Sequence, residues 1–112
     1  MRREFAACVV TGCAMLLQGC GAQPAPQFFN AERHEITLDG IRFVVFDRGG
    51  DAEVIRMGYL TLRERDRVPP LMRRAAEATT GCKVTGPSSG PLRSPSLPGD
   101  TGEARFRLEC GA

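Results

Sequence analysis

The chain has 112 residues, of which 15 are basic and 13 are acidic, and its formal net charge is +2. This length allows one small domain. The near balance of charge leaves no basic patch or acidic tail that would favour a nucleic acid or a cation as partner. A core of this size is marginally stable, so a covalent staple would help it.

The N-terminal stretch has the parts of a secretory signal. A short basic start, Met1–Glu4, precedes an apolar run from Phe5 to Leu17. That run is shorter than the roughly 20 apolar residues that a membrane-spanning helix needs. It ends in Leu17-Gln18-Gly19-Cys20, which resembles the bacterial lipobox, with Leu at −3, a small residue at −1 and then Cys.

This resemblance implies that residues 1–19 are a signal peptide and that Cys20 becomes the acylated first residue. Two or more acyl chains hold a protein on a bilayer, because each buried CH₂ contributes about 0.8 kcal/mol. The expected location is the cell envelope, facing the periplasm. Gly21, the residue after the acylated cysteine, resembles the sorting pattern of outer-membrane lipoproteins more than that of inner-membrane lipoproteins. The alternatives are an ordinary secretory signal, an anchor that is never cut, and export by the twin-arginine route through Arg2-Arg3.

The five cysteines divide by position. Cys8 and Cys13 would leave with the signal, and Cys20 would carry the lipid. The remaining pair, Cys82 and Cys110, would lie in an oxidising compartment, where a disulfide is the simplest expectation.

Residues 20–30 are predicted to be a flexible tether, because Gly, Ala and Pro give them little to bury. Phe28-Phe29 is expected to be the first packing contact of the domain, with contact to lipid headgroups as the alternative. The domain itself is predicted over residues 31–112.

A β-hairpin is predicted around Asp39-Gly40, a strong two-residue turn signal. In that register Leu38 lies opposite Ile41, and Ile36 lies opposite Phe43. The core face then collects five residues: Ile36, Leu38, Ile41, Phe43 and Val45.

The other face of this hairpin is more apolar than solvent exposure predicts, because it carries Val44 and Phe46. With Val54 of the next strand, these residues are predicted to form a contact patch for a protein partner.

A third strand is predicted over residues 53–60, with Ile55, Met57 and Tyr59 on the core face. A charged link, residues 61–67, follows it.

The helical spacing of apolar residues from Leu71 to Thr79 predicts a helix. Its other signals are Asp66 as cap, Pro69-Pro70 in the first turn and Gly81 as the stop. Its expected apolar positions are Leu71, Met72, Ala75, Ala76 and Ala78.

The last two strands are predicted at Cys82–Gly86 and Ala104–Cys110, separated by a loop rich in Pro, Ser and Gly that is expected to be disordered over residues 87–102. An antiparallel register with Cys82 opposite Cys110 places Val84 opposite Leu108 and Gly86 opposite Phe106. Phe106, Leu108 and Cys110 are expected inside, and Arg105, Arg107 and Glu109 outside.

These elements predict an α+β domain with the order β-β-β-α-β-β, in which one helix packs on one face of an antiparallel sheet of four or five strands. The Ala-rich helix ending in Thr-Thr-Gly-Cys, followed by a C-terminal Cys, is similar to small exported proteins of alphaproteobacteria. The similarity covers roughly Leu71 to Cys110 and implies no known activity.

The sequence carries no recognisable catalytic or cofactor-binding motif. His34 is the single histidine, and no Cys or His lies at zinc-site spacing from it. No nucleophile elbow or phosphate loop occurs, and no acidic residues are spaced as a general acid/base pair. We therefore predict neither an enzyme nor a cofactor or metal.

Five arginines from Arg63 to Arg74 interleave with acidic residues. They indicate a solvated face or, alternatively, a patch for anionic lipid or a partner.

The predicted function is that of a lipid-anchored envelope lipoprotein with a structural or protein-interaction role. The alternative is a periplasmic small-ligand-binding module, with its pocket near Met57, Tyr59 and Met72.

Overall fold

The computed structural model describes residues 22–58, 60–95 and 102–111. They form an antiparallel five-stranded sheet with one main helix, which confirms the α+β class and the order β-β-β-α-β-β. The strands are β1 (Glu32–Leu38), β2 (Ile41–Asp47), β3 (Asp51–Arg56), β4 (Lys83–Pro87) and β5 (Glu103–Glu109). The helices are the short α1 (Leu62–Arg65) and the main helix α2 (Val68–Thr80).

The strand order in the sheet is β1-β2-β3-β5-β4. The last strand therefore lies between β3 and β4 and pairs antiparallel with both. Because α2 connects β3 to β4, the helix crosses one face of the sheet while β5 fills the gap that this crossover leaves.

The β1–β2 hairpin has the predicted register. Leu38 pairs with Ile41, Ile36 with Phe43, and His34 with Val45. Asp39 and Gly40 have φ values of 51° and 79°, as a two-residue turn of the primed type requires at both central positions. The predicted core face is also confirmed, since Ile41, Phe43 and Val45 are buried and Ile36 and Leu38 pack against them.

The main helix buries Leu71, Met72, Ala75 and Ala76 against the sheet, as predicted. Gly81 ends it in a left-handed conformation with φ of 74°, and its N–H donates to the Glu77 carbonyl.

Two details of the predicted helix are wrong. Asp66 does not cap α2, because it ends α1, whose own start is capped by the side chains of Thr61 and Glu64. The expected charged link is therefore partly helical. Ala78 is exposed, because it lies on the side of the helix that faces away from the sheet.

The predicted facing of the third strand is also wrong. β3 ends at Arg56, and it is Ala52 and Val54 that point into the core under the helix. Ile55 and Met57 pack on the opposite side of the sheet. The pairing with β2 determines which residues of β3 face the helix, since Val54 lies beside Val45 on the core face. Tyr59 lies outside the described residues.

The disulfide between Cys82 and Cys110 is present, as predicted. Val84 pairs with Leu108 in the expected register, but Gly86 pairs with Arg107 instead of Phe106. The reason is an irregularity between Val84 and Gly86, where β4 carries one extra residue, as in a β-bulge.

Candidate functional site

The face of the sheet turned away from α2 is buried by two segments from outside the sheet. We call residues 22–30 and 88–95 the covering layer. Phe28 of this layer forms a second apolar cluster with Val44 and Phe46 of the sheet, against which Ala22, Ala25 and Leu92 pack. The domain therefore has three layers, with the sheet between the main helix and the covering layer.

Residues 22–30, which fall within the predicted flexible tether of residues 20–30, are packed on the sheet instead. Pro26–Phe28 form a 3₁₀ turn, and the Phe28 ring is fully buried. Phe29 points outward instead, with 64% of its surface exposed. Hence Phe28 is the packing contact expected of this pair, and the chain is docked from Ala22 onward.

The second segment contradicts the prediction of disorder for the first half of the loop. Gly90–Leu92 form another 3₁₀ turn. The Ser88 hydroxyl lies 2.6 Å from Asp51 Oδ1, and the Arg105 N–H donates to the Ser94 hydroxyl over 2.8 Å. These bonds hold residues 88–95 on the sheet, while residues 96–101 of the predicted loop lie outside the described residues.

An ion pair lies between the sheet and the covering layer. Arg105 Nε donates to Glu53 Oε2 over 2.7 Å, and the two side chains are 7% and 0% exposed. The prediction that Arg105 faces solvent is therefore wrong. The physical reason is that the alternation of β5 correctly turns Arg105 away from the helix, but the covering layer occupies that side.

The ion pair also joins the two segments of the covering layer. Glu53 Oε1 accepts the Ala25 N–H over 2.9 Å, and Arg105 Nη1 donates to the Arg93 carbonyl over 2.8 Å. The Arg105 guanidinium lies 5.6 Å from the centre of the Phe28 ring. Each of the two charged side chains thus bonds both to the other and to one segment of the covering layer. Their role in this arrangement is to hold the layer on the sheet.

The contact patch predicted from Val44, Phe46 and Val54 is wrong, because none of the three side chains is exposed. Val44 and Phe46 are buried beneath Phe28, and Val54 is buried on the other side of the sheet, under α2. The excess apolar character of the second face reflects intramolecular packing.

The predicted arginine-rich stretch lies on the helical layer. All five arginines are exposed: Arg63, Arg65, Arg67, Arg73 and Arg74. Of the three acidic residues in this stretch, Glu77 accepts the Val84 N–H over 2.9 Å, and Glu64 accepts the N–H and the hydroxyl of Thr61. Bonds from Thr61 lower the pKa of Glu64. Because the five guanidinium groups outnumber the three carboxylates, this surface carries a net positive charge.

Among the described residues, potential metal ligands do not gather around His34. His34 is half-buried at the edge of the sheet, and its Nε2 lies 4.0 Å from Glu32 Oε1. Within the part of the chain that the structure describes, no three potential metal ligands are grouped. Glu35 nearby is bonded to Arg33 and Arg42, each over 3.0 Å, and the Arg33 bond is the main cause that lowers its pKa.

An open groove of about 440 Å³ lies at the hairpin end of the sheet. It is lined by Asp39, Gly40, Ile41, Arg42, Met57, Gly58, Leu60 and Glu64. Met57 is thus at a groove, as the small-ligand alternative expected. Met72 is not, because it is buried in the core under the helix.

Cys20, the predicted lipid site, and residues 1–19 lie outside the described residues. None of the helices in the described ranges is long and apolar enough to cross a membrane. Comparison of the chain with protein-family models, with curated proteins and with solved structures found no match.

Proposed function

We propose that this protein is a lipid-anchored envelope lipoprotein, acylated at Cys20, whose folded part has a protein-interaction role. The observation that carries the proposal is the lipobox-like sequence Leu17-Gln18-Gly19-Cys20, whose cysteine precedes the start of the docked chain at Ala22 by two residues. An anchor at this point would be joined directly to the covering layer.

The disulfide between Cys82 and Cys110 supports an envelope location. Structural disulfides form and persist in oxidising compartments such as the bacterial periplasm. A disulfide at this place also suits a domain whose small core leaves little stability to spare.

The three-layer arrangement supports an interaction role. The proposed anchor, Cys20, precedes the covering layer by two residues, and the exposed arginines belong to the helical layer on the other side of the sheet. A protein anchored in this way would present guanidinium groups toward the periplasm. Because guanidinium groups pair with carboxylates through two parallel hydrogen bonds, the partner we propose is a protein with an acidic surface.

The anchor is tested by metabolic labelling with a fatty acid, followed by membrane fractionation, for the wild type and Cys20→Ser. We expect label and membrane association in the wild type and neither in the variant. Label in both proteins, or a wild type that stays soluble without label, would contradict acylation at Cys20.

The interaction surface is tested by crosslinking in the envelope. The variant Arg65→Glu/Arg74→Glu reverses two charges on the helical layer, and Lys83→Glu/Arg107→Glu reverses two exposed charges on the strands as a matched control. We expect the first pair to abolish a specific, salt-sensitive crosslink and the second to preserve it. A crosslink that survives in both variants would show that the partner binds elsewhere.

A second candidate function is small-ligand binding in the open groove. The observation that favours it is a volume of about 440 Å³, within the range of small-molecule sites, with Arg42 beside the apolar Ile41 and Leu60. A small amphiphile fits this combination of apolar and charged side chains. Binding of 8-anilinonaphthalene-1-sulfonate to the folded protein, lost in Leu60→Glu but kept in Ala78→Glu, would support it, and equal binding by both variants would exclude this groove.

A further inference from the structure

We propose that the covering layer is the surface that contacts the bilayer, with the Phe29 ring inserted among the lipid headgroups. This inference rests on the acylation of Cys20 proposed above. It adds an orientation, in which the sheet lies over the membrane and the helical layer faces the periplasm.

The distance between the anchor and the fold is the first argument. Ala22 already packs against the cluster beneath the covering layer, and Cys20 precedes it by two residues. Two residues span at most about 7 Å. A domain tied so closely to an acylated residue cannot stand away from the bilayer, and the nearest part of it is the covering layer.

The second argument is the exposed aromatic ring. Phe29 is a large apolar side chain that remains exposed in the folded domain. Its neighbour Phe28 is fully buried, and the Phe29 N–H donates to the Pro26 carbonyl, so its backbone is held on the domain. A ring on a fixed backbone loses little conformational entropy on insertion.

The charge of the layer is the third argument. Residues 22–30 and 88–95 contain no acidic side chain, and Arg93 among them is exposed. Beside them, Arg48 Nη1 donates to the Gln27 carbonyl and its guanidinium lies 5.8 Å from the Phe28 ring. A layer without carboxylates, with the exposed guanidinium groups of Arg48 beside it and Arg93 in it, suits a surface containing anionic headgroups.

The test uses tryptophan fluorescence, because the chain has no tryptophan of its own. Phe29→Trp is prepared as the full-length acylated protein in vesicles of phosphatidylethanolamine and phosphatidylglycerol with brominated acyl chains, which quench a nearby indole. Ala78→Trp is the matched control, since Ala78 is exposed on the helical layer. We expect a blue shift and a loss of emission for Phe29→Trp and neither for Ala78→Trp.

Equal emission from both variants in vesicles to which the acylated protein is bound would overturn the orientation and leave the anchor intact. Stronger quenching of Ala78→Trp would show that the helical layer contacts the bilayer. A protein without acyl chains that does not float with the vesicles would overturn both the anchor and this inference. Circular dichroism of both variants should match the wild type, because both positions are exposed.

Discussion

Glu53 and Arg105 face each other across two neighbouring strands, with 2.7 Å between Oε2 and Nε, on a side of the sheet that the alternation of β5 alone would assign to solvent. The pair is buried because Phe28, Ala25 and Arg93 come from elsewhere in the chain to cover it. It marks the point where sheet and covering layer are joined.

Removing one member of this pair should strongly destabilise the domain. Glu53→Leu leaves the Arg105 guanidinium buried without its carboxylate, and Arg105→Met does the reverse. We expect each single variant to lower the free energy of unfolding by about 3–5 kcal/mol, measured by urea denaturation under oxidising conditions.

The double variant Glu53→Leu/Arg105→Met should be more stable than either single variant, because no unpaired charge remains buried. Glu35→Gln is the control, since Glu35 belongs to an exposed ion pair and its loss should leave the urea midpoint nearly unchanged. Additive losses in the double variant would contradict the coupling of Glu53 and Arg105.

The disulfide should contribute a large share of the stability. It links residues 28 positions apart, and the chain-entropy model gives roughly 3–4 kcal/mol for a loop of that size. We expect Cys82→Ala/Cys110→Ala to show this loss in urea denaturation, and a reducing agent to lower the wild type to the same level. A reducing agent that also shifts the midpoint of the variant would indicate an effect other than loss of this bond.

Phe28 and Phe29 should differ sharply in their effect on stability. Phe28→Ala opens a cavity between the sheet and the covering layer, and we expect a loss of about 3–5 kcal/mol. Phe29→Ala removes an exposed ring and should leave the thermal midpoint close to the wild type. Similar losses in the two variants would mean that the covering layer is held by contacts other than the Phe28 ring.

Glu64 should make the domain less stable in acid. Hydrogen bonds from the backbone and side chain of Thr61 lower the pKa of Glu64 below its ordinary value of 4.5. A carboxylate whose pKa is lower in the folded state stabilises the fold above its unfolded pKa and loses that contribution as the pH falls through the folded pKa. We expect the thermal midpoint of the wild type to exceed that of Glu64→Ala at pH 6, and the difference to shrink below pH 4.5. A difference that stays constant to pH 3 would argue against this bond to the ionised carboxylate.

The predictions from sequence were accurate where a local pattern or a strand register decides the outcome. The Asp39-Gly40 dipeptide predicted the position of the hairpin turn, because few residues accept a positive φ at two successive positions. Gly81 placed the end of the helix for a similar reason. The two cysteines were paired correctly because a register joining them also aligns Val84 with Leu108.

The errors about which residues of the second sheet face are exposed share one physical origin. Val44, Phe46 and Arg105 were correctly assigned to the sheet face opposite the helix, but that face was taken to be open. Its cover comes from segments rich in Pro, Gly and Ser, which show no periodicity and therefore resemble a tether and a disordered loop.

The sequence by itself determined the strands of the hairpin, the course of the main helix and the pairing of Cys82 with Cys110, because backbone conformation and side-chain alternation act over a few residues. Only the tertiary structure decided which surfaces meet water, since Phe28 and Leu92 reach the sheet across long stretches of chain. That choice depends on packing between distant segments, which bury an ion pair and leave the arginines of the helical layer and the Phe29 ring exposed.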